Sequence, residues 1–175
     1  MQNILQVRRY QLMPEFYQHD KIRIQNLEDV LMQMNINEIM EYLPQRYPML
    51  LVDKVEEMEP GERAIGYKYV TMNEPYFQGH FPKKPVMPGV FVIDALGQLI
   101  YLMLVCVPEN RDKYVYWAKL AKAKFYDAVI PGSVIKLDVQ KKTQIDNLVA
   151  CVVRATEEDK DVFTAEMTMM IVEDE

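Results

Sequence analysis

From residue 35 onward, apolar residues recur at two different periods, and the change of period marks out the elements. Ile36, Ile39, Met40 and Leu43 fall on one face of a helix. Asn35 followed by Glu38 has the form of a capping box at its start, and Pro44 stops it. Met49 to Met58 and Arg63 to Met72 read as strands, joined by the turn Glu59-Pro60-Gly61-Glu62. A loop from Asn73 to Pro88 follows, stiffened by Pro75, Pro82, Pro85 and Pro88. The stretch from Val90 to Val107, VFVIDALGQLIYLMLVCV, is then apolar except at Asp94 and Gln98. It is too long for an ordinary strand, and Pro88 and Pro108 fit the two ends of a helix. A helix that is apolar all round must be surrounded by protein.

Strands are predicted next at Tyr114–Tyr126, Ser133–Lys141, Asn147–Glu157 and Asp161–Val172, separated by Pro131-Gly132 and by polar turns. In the last, Phe163, Ala165, Met167, Met169 and Ile171 alternate with polar residues, as a sheet with one buried face requires. The order predicts an α+β fold in which an antiparallel sheet wraps around one central helix. Residues 1–34 show no sustained periodicity. They read as an N-terminal extension, partly helical or flexible, with a short helix over Leu27–Met34. Residues 35–175 read as a single domain. No internal repeat or low-complexity stretch is present.

Composition narrows the classes. The chain has 175 residues, half of them hydrophobic, with a net charge of −6 and a pI near 5.1, which argues against a general nucleic-acid partner. Cys106 and Cys151 lie in apolar stretches without metal-ligand spacing, as reduced buried thiols of a cytoplasmic protein do. The N-terminus lacks the uninterrupted apolar core of a secretory signal. Val90–Val107 reaches the lower length limit of a membrane span. Asp94, Gly97 and Gln98 interrupt it, so a buried helix of a soluble protein is the preferred reading. No cofactor or metal is expected.

The candidate chemistry lies at the start of that helix. A lone carboxylate among apolar residues is costly to bury as an ion, so Asp94 needs a reason to be there. His80 stands in Gly79-His80-Phe81-Pro82, on the stiff loop just before it. Gln98, four residues after Asp94, shares its helix face. Gly89 opens the helix, where unpaired N–H groups and the macrodipole favour developing negative charge. An imidazole, a carboxyl group and an oxyanion donor suit proton removal beside a thioester carbonyl. The plainer alternatives are a loop histidine satisfied by backbone groups, a carboxylate capping a nearby loop, and a core hydrogen bond for Gln98.

These residues lie within a larger resemblance. RYPMLLVDKV (46–55), NEPYFQGHFPKKPVMPGV (73–90), the Asp94/Gln98 helix and the turn Ile130-Pro131-Gly132 resemble the 3-hydroxyacyl-[acyl-carrier-protein] dehydratases of type II fatty-acid synthesis, from about Asn35 to the C-terminus. The resemblance implies a hot-dog fold and a homodimer or higher oligomer, with each active site at a dimer interface. It also implies an acyl-carrier protein as partner. His80 then corresponds to the histidine base, Asp94 to the acid, Gly89 to the carbonyl-polarising backbone N–H, and Gln98 to a support for the acid. The implied reaction is dehydration of (3R)-3-hydroxyacyl thioesters to trans-2-enoyl thioesters. Aspartate at 94 departs from the glutamate of the general branch and, with PVMPG at 85–89, matches the dehydratase/isomerase branch. Enoyl isomerisation is therefore an open side activity. The extension before Asn35 lies outside the general pattern and suggests a specialised pathway such as polyene-type lipid synthesis.

Phe81, Val90 and Tyr116 are candidates for the acyl tunnel, Tyr116 alternatively a cross-strand aromatic. Lys83, Lys84, Lys119, Lys122 and Lys124 form a local basic group that suits an acidic carrier, or is a solvated face. His19 is assigned no role. Two other functions stay open: an acyl thioesterase of the same fold, and the partner subunit of a heteromeric dehydratase.

Overall fold

The computed structural model describes residues 31–173. Its elements are β1 (Met32–Met34), α1 (Ile36–Tyr42), β2 (Lys54–Glu59), β3 (Arg63–Tyr69), a 3-10 turn (Pro75–Gln78), α2 (Gly89–Val105), a second 3-10 turn (Pro108–Asn110), β4 (Tyr114–Phe125), β5 (Val134–Ile145), β6 (Leu148–Glu157) and β7 (Lys160–Val172).

The capping box forms as expected: the Asn35 side chain accepts from the N–H groups of Asn37 and Glu38, while the Glu38 carboxylate accepts from Asn35 N–H at 2.6 Å. The helix ends at Tyr42, and Leu43 donates back to the Ile39 carbonyl. Ile39 and Leu43 are buried, whereas Ile36 stays exposed, so the core-facing stripe is narrower than the periodicity suggests. The helix expected over Leu27–Met34 is not there in its described part. Met32–Met34 is instead an edge strand, Met32 opposite Met58 and Met34 opposite Val55, with Met34 turned into the core. Strand pairing with the open edge of β2 outweighs any local helical preference. The remainder of that predicted helix, like His19, falls outside the described residues.

β2 also begins later than expected, at Lys54. In the preceding residues, Met49 and Leu50 N–H donate to the Arg46 carbonyl, while the Met49 carbonyl and Leu51 N–H bond to a side chain of α2, as described below, and Leu51 and Val52 are fully buried. Other strand ends agree with the sequence pattern to within about four residues.

All seven strands form one antiparallel sheet in the order β1-β2-β3-β5-β6-β7-β4. α2 lies against its concave face, touching β3, β4, β5, β6 and β7. Leu96, Leu99, Ile100 and Met103 meet Leu137, Val153 and Phe163 in the core. This is the hot-dog arrangement. From Ala95 to Val105 the helix is buried except at half-buried Tyr101, but its first turn emerges, with Val90 66% exposed. No helix among the described residues is long and apolar enough to cross a membrane. The long edge strand β4 has one buried residue, Val115, although it carries Tyr114, Tyr116, Trp117, Leu120 and Phe125.

Candidate active site

His80 is held by its own loop. Its backbone N–H donates to the Tyr76 carbonyl at 2.9 Å, and its carbonyl accepts from Val86 N–H at 2.9 Å. The ring Nδ1 lies 2.7 Å from the Val86 carbonyl oxygen. A carbonyl can only accept, so Nδ1 carries the proton and the neutral ring offers Nε2 as its basic nitrogen. The Phe81 ring stacks on the imidazole at 4.1 Å, and the peptide bond between these two residues is cis. At the loop exit, Met87 N–H donates to the Val129 carbonyl at 2.8 Å, tying it to the segment between β4 and β5.

His80 and Gly89 line the same cleft, about 390 Å³ in volume, together with Val86, Val90, Phe125 and Asp127. As the first residue of α2, Gly89 has no helical partner for its N–H. The missing side chain leaves room for the Phe125 ring: a Cβ would sit 2.5 Å from Phe125 Cε1, so the ring would have to move. The macrodipole adds partial positive charge at this point. The cleft thus combines a base with an oxyanion donor in mostly apolar surroundings, where electrostatic stabilisation is strongest.

Asp94 is not among the residues that line this cleft. Five residues along an α-helix turn it about 140° from Gly89 and carry it about 7.5 Å up the axis. There its Oδ2 accepts from Gln98 Nε2 at 2.8 Å, and Oδ1 has no hydrogen-bond partner among the described residues. Gln98, 2% exposed, also donates to the Met49 carbonyl at 2.7 Å and accepts from Leu51 N–H at 2.9 Å. It therefore locks the helix to the chain entering β2 and fixes the Asp94 carboxyl. Burial pushes the Asp94 carboxyl above the usual carboxylate range, and the Gln98 hydrogen bond only partly opposes this. That is the direction a general acid near neutral pH requires.

The remaining candidates are spread over the surface. Val90 lines the cleft, whereas Tyr116 lies on β4 opposite Met170, 53% exposed and stacked on Tyr114 at 6.2 Å. Lys83 and Lys84 are exposed on the His80 loop, and Lys119, Lys122 and Lys124 on β4. Lys122 pairs with Glu166 at 2.8 Å, and Lys124 lies 4.5 Å over the Tyr126 ring, so these two are engaged within the chain. No group of His, Cys, Asp and Glu among the described residues could hold a metal ion. Burial pushes the thiols of Cys106 and Cys151 up to about 12, so neither is a nucleophile.

Sequence reasoning missed Phe125, Asp127 and the Val86 carbonyl. Nothing in periodicity brings residues 125–129 beside residue 80; tertiary contacts such as the Met87–Val129 hydrogen bond do.

Comparison with known proteins identifies the family. Residues 43–166 match the FabA-like domain family. The 3-hydroxyacyl-[acyl-carrier-protein] dehydratase FabZ of Clostridium novyi is 56% identical over 109 residues, covering 62% of this chain and 77% of that one. The protein of the same name from Ligilactobacillus salivarius is 43% identical over 138 residues, covering 79% of this chain and 99% of its own. Among solved structures, the dehydratase heterocomplex ApeI:P from Xenorhabdus doucetiae superposes with a TM-score of 0.66 at 16% identity, covering 75% of this chain and 89% of that one, and shares the fold. With a family match over most of its length and close relatives named as dehydratases, this chain belongs to the FabA-like family, on its FabZ side.

Proposed function

We propose that the chain is a lyase that dehydrates (3R)-3-hydroxyacyl thioesters on an acyl-carrier protein to trans-2-enoyl thioesters, as part of fatty-acid or related lipid synthesis in the cytoplasm. The carrying observation is that His80, its Nδ1 committed to the Val86 carbonyl, shares one cleft with the free N–H at the start of α2. With the thioester carbonyl against Gly89 N–H, His80 Nε2 removes a C2 proton and the carbonyl oxygen takes up the negative charge. The electrons return to form the C2–C3 double bond as the C3–O bond breaks. Asp94, protonated, gives its proton to the departing hydroxyl, which leaves as water. Transfer of the proton from the imidazolium to the carboxylate, through solvent, resets the site.

Since Asp94 faces away from the cleft of its own chain, the reading places it in the cleft of a second copy, in a homodimer. The exposed aromatic edge of β4 supports such an assembly, because a long edge strand with large apolar residues is ordinarily covered. Val90, which lines the cleft, and Phe81, stacked on the His80 ring, contact the acyl chain, and Lys83 and Lys84 receive the carrier.

The test is incubation of the full chain with a carrier-linked 3-hydroxyacyl thioester. Appearance of enoyl absorbance with the thioester intact is expected. Release of free carrier thiol without enoyl product would replace the lyase by a thioesterase. Turnover that requires a second, co-purifying homologous chain would make it half of a heteromeric enzyme. Formation of a 3-enoyl product in the same assay would add isomerisation.

A further inference from the structure

We propose that Lys68 is a positioning residue for the His80 loop, through a buried ion cluster with Asp53 and Glu74. Lys68 points inward from β3, on the same face as Ala64 and Gly66, and is 4% exposed. Its Nζ lies 2.7 Å from Glu74 Oε1 and 3.2 Å from Asp53 Oδ2. Asp53 Oδ2 also accepts from Tyr69 N–H at 2.6 Å, so one end of the cluster is fixed to the sheet.

The other end is fixed to the catalytic loop. Glu74 is the residue from which the 3-10 turn Pro75–Gln78 starts, and its carbonyl accepts from Phe77 N–H at 3.2 Å. The Tyr76 carbonyl of that turn accepts in succession from Gly79 and His80 N–H. The Tyr76 ring packs 5.0 Å from Phe91 in the first turn of α2, and its buried hydroxyl has no hydrogen-bond partner among the described residues. Side-chain packing alone therefore joins this turn to the helix, and the charged contact of Glu74 joins it to the sheet. A path of direct contacts runs from Lys68 through Glu74 and the turn to the backbone N–H of His80.

A buried ion cluster is weak as a source of stability, because desolvation of the charges offsets most of their attraction. Its use here is in placement: a misplacement of about 1 Å in a reacting group can cost about 10²-fold in rate. This inference rests on His80 as the base, and its test separates the two. The variant Lys68→Met/Asp53→Asn/Glu74→Gln removes every charge of the cluster and leaves no buried ion behind. Glu74→Gln alone keeps the shape of the side chain and releases only the charged contact.

Both are compared with the native chain by kcat, KM and long-range 1H–15N correlation of the His80 ring at alkaline pH, assigned against His19 with His80→Asn. The native ring shows one tautomer, protonated at Nδ1. Expected in the folded triple variant is a fall in kcat of about 10²-fold, with KM changed far less and a mixture of ring tautomers. Glu74→Gln shifts in the same direction, by about tenfold in kcat, and Lys68→Arg retains most of the native rate. Native kcat, or the native single tautomer, in whichever of the two neutralised variants is folded would overturn the proposal. Should the native chain fail to turn over hydroxyacyl thioesters while its ring tautomer still depends on the cluster, the dehydratase reading falls and the positioning role stands.

Discussion

If each site takes His80 from one chain and Asp94 from another, two inactive variants must rescue each other. The structure sets the expectation. Asp94 lies about 140° around α2 from Gly89 and is absent from the cleft that His80 and Gly89 share. In a two-fold dimer, a dimer of His80→Ala with Asp94→Asn contains one site lacking both groups and one site lacking neither. A heterodimer isolated through two different tags should show about half the native kcat, and an unsorted equal mixture about one quarter. The two parent homodimers should each fall by about 10²-fold or more. The reciprocal pairing is as informative. A native chain paired with the double variant His80→Ala/Asp94→Asn should be inactive, since each of its sites lacks one group. A site contained within one chain reverses both results, giving no rescue in the first heterodimer and half activity in the second. That reversal, in heterodimers shown to be folded and paired, would refute the shared site.

Other outcomes follow from contacts already described. Asp94→Asn should abolish dehydration but leave Tm unchanged or higher at neutral pH. A carboxyl whose folded pKa is raised contributes stability below its unfolded pKa and loses it as pH rises through the folded value, so the advantage of asparagine should shrink on acidification. For the same reason, kcat/KM should fall as pH rises through the raised Asp94 pKa; a flat alkaline limb in a pH-rate profile would remove Asp94 as the acid. Gly97→Ala would place a Cβ 2.4 Å from Trp117 Cζ2 and should cost about 1–3 kcal/mol in denaturant unfolding, with a shift in the fluorescence of this single tryptophan. Trp117→Phe should recover part of that loss. Lys83→Glu/Lys84→Glu should raise KM for carrier-linked substrate and spare a small thioester, whereas Lys122→Glu, already paired with Glu166, should change KM less.

The elements of the fold were legible because each matches one period. The helix over 89–105 could be read from its apolar run between Pro88 and Pro108, and β7 from its alternation. Two parts were not legible, for two reasons. Met32–Met34 is too short to show a period, and its strand conformation comes from pairing with β2. The segment 49–53 alternates poorly, and the Met49 carbonyl and Leu51 N–H are satisfied by Gln98, forty-nine residues away from Met49. Lys68 did carry a signal: in RAIGYKY it occupies the inward register of Ala64 and Gly66, where a lysine can be buried only beside carboxylates. The site divides in the same way. His80, Gly89, Asp94 and Gln98 are visible as polar or small residues in improbable surroundings, while Phe125 and the Val86 carbonyl enter only through tertiary contact.

β4 shows what this way of reading a chain measures. Its residues Tyr114 to Phe125 have the composition of a strand that is covered, yet within one chain Val115 alone of its twelve residues is buried. Hydrophobic periodicity records the surroundings under which a sequence was kept, and those include neighbours from other chains. A single copy with an uncovered aromatic edge and its candidate acid outside its own cleft leaves two independent expectations unmet. The proposed homodimer, if formed along that edge, would cover β4 and place Asp94 of one copy in the His80 cleft of the other. The same physical requirement, that apolar surface and costly charges be accounted for, thus leads from the pattern of a single strand to the proposed composition of the active site.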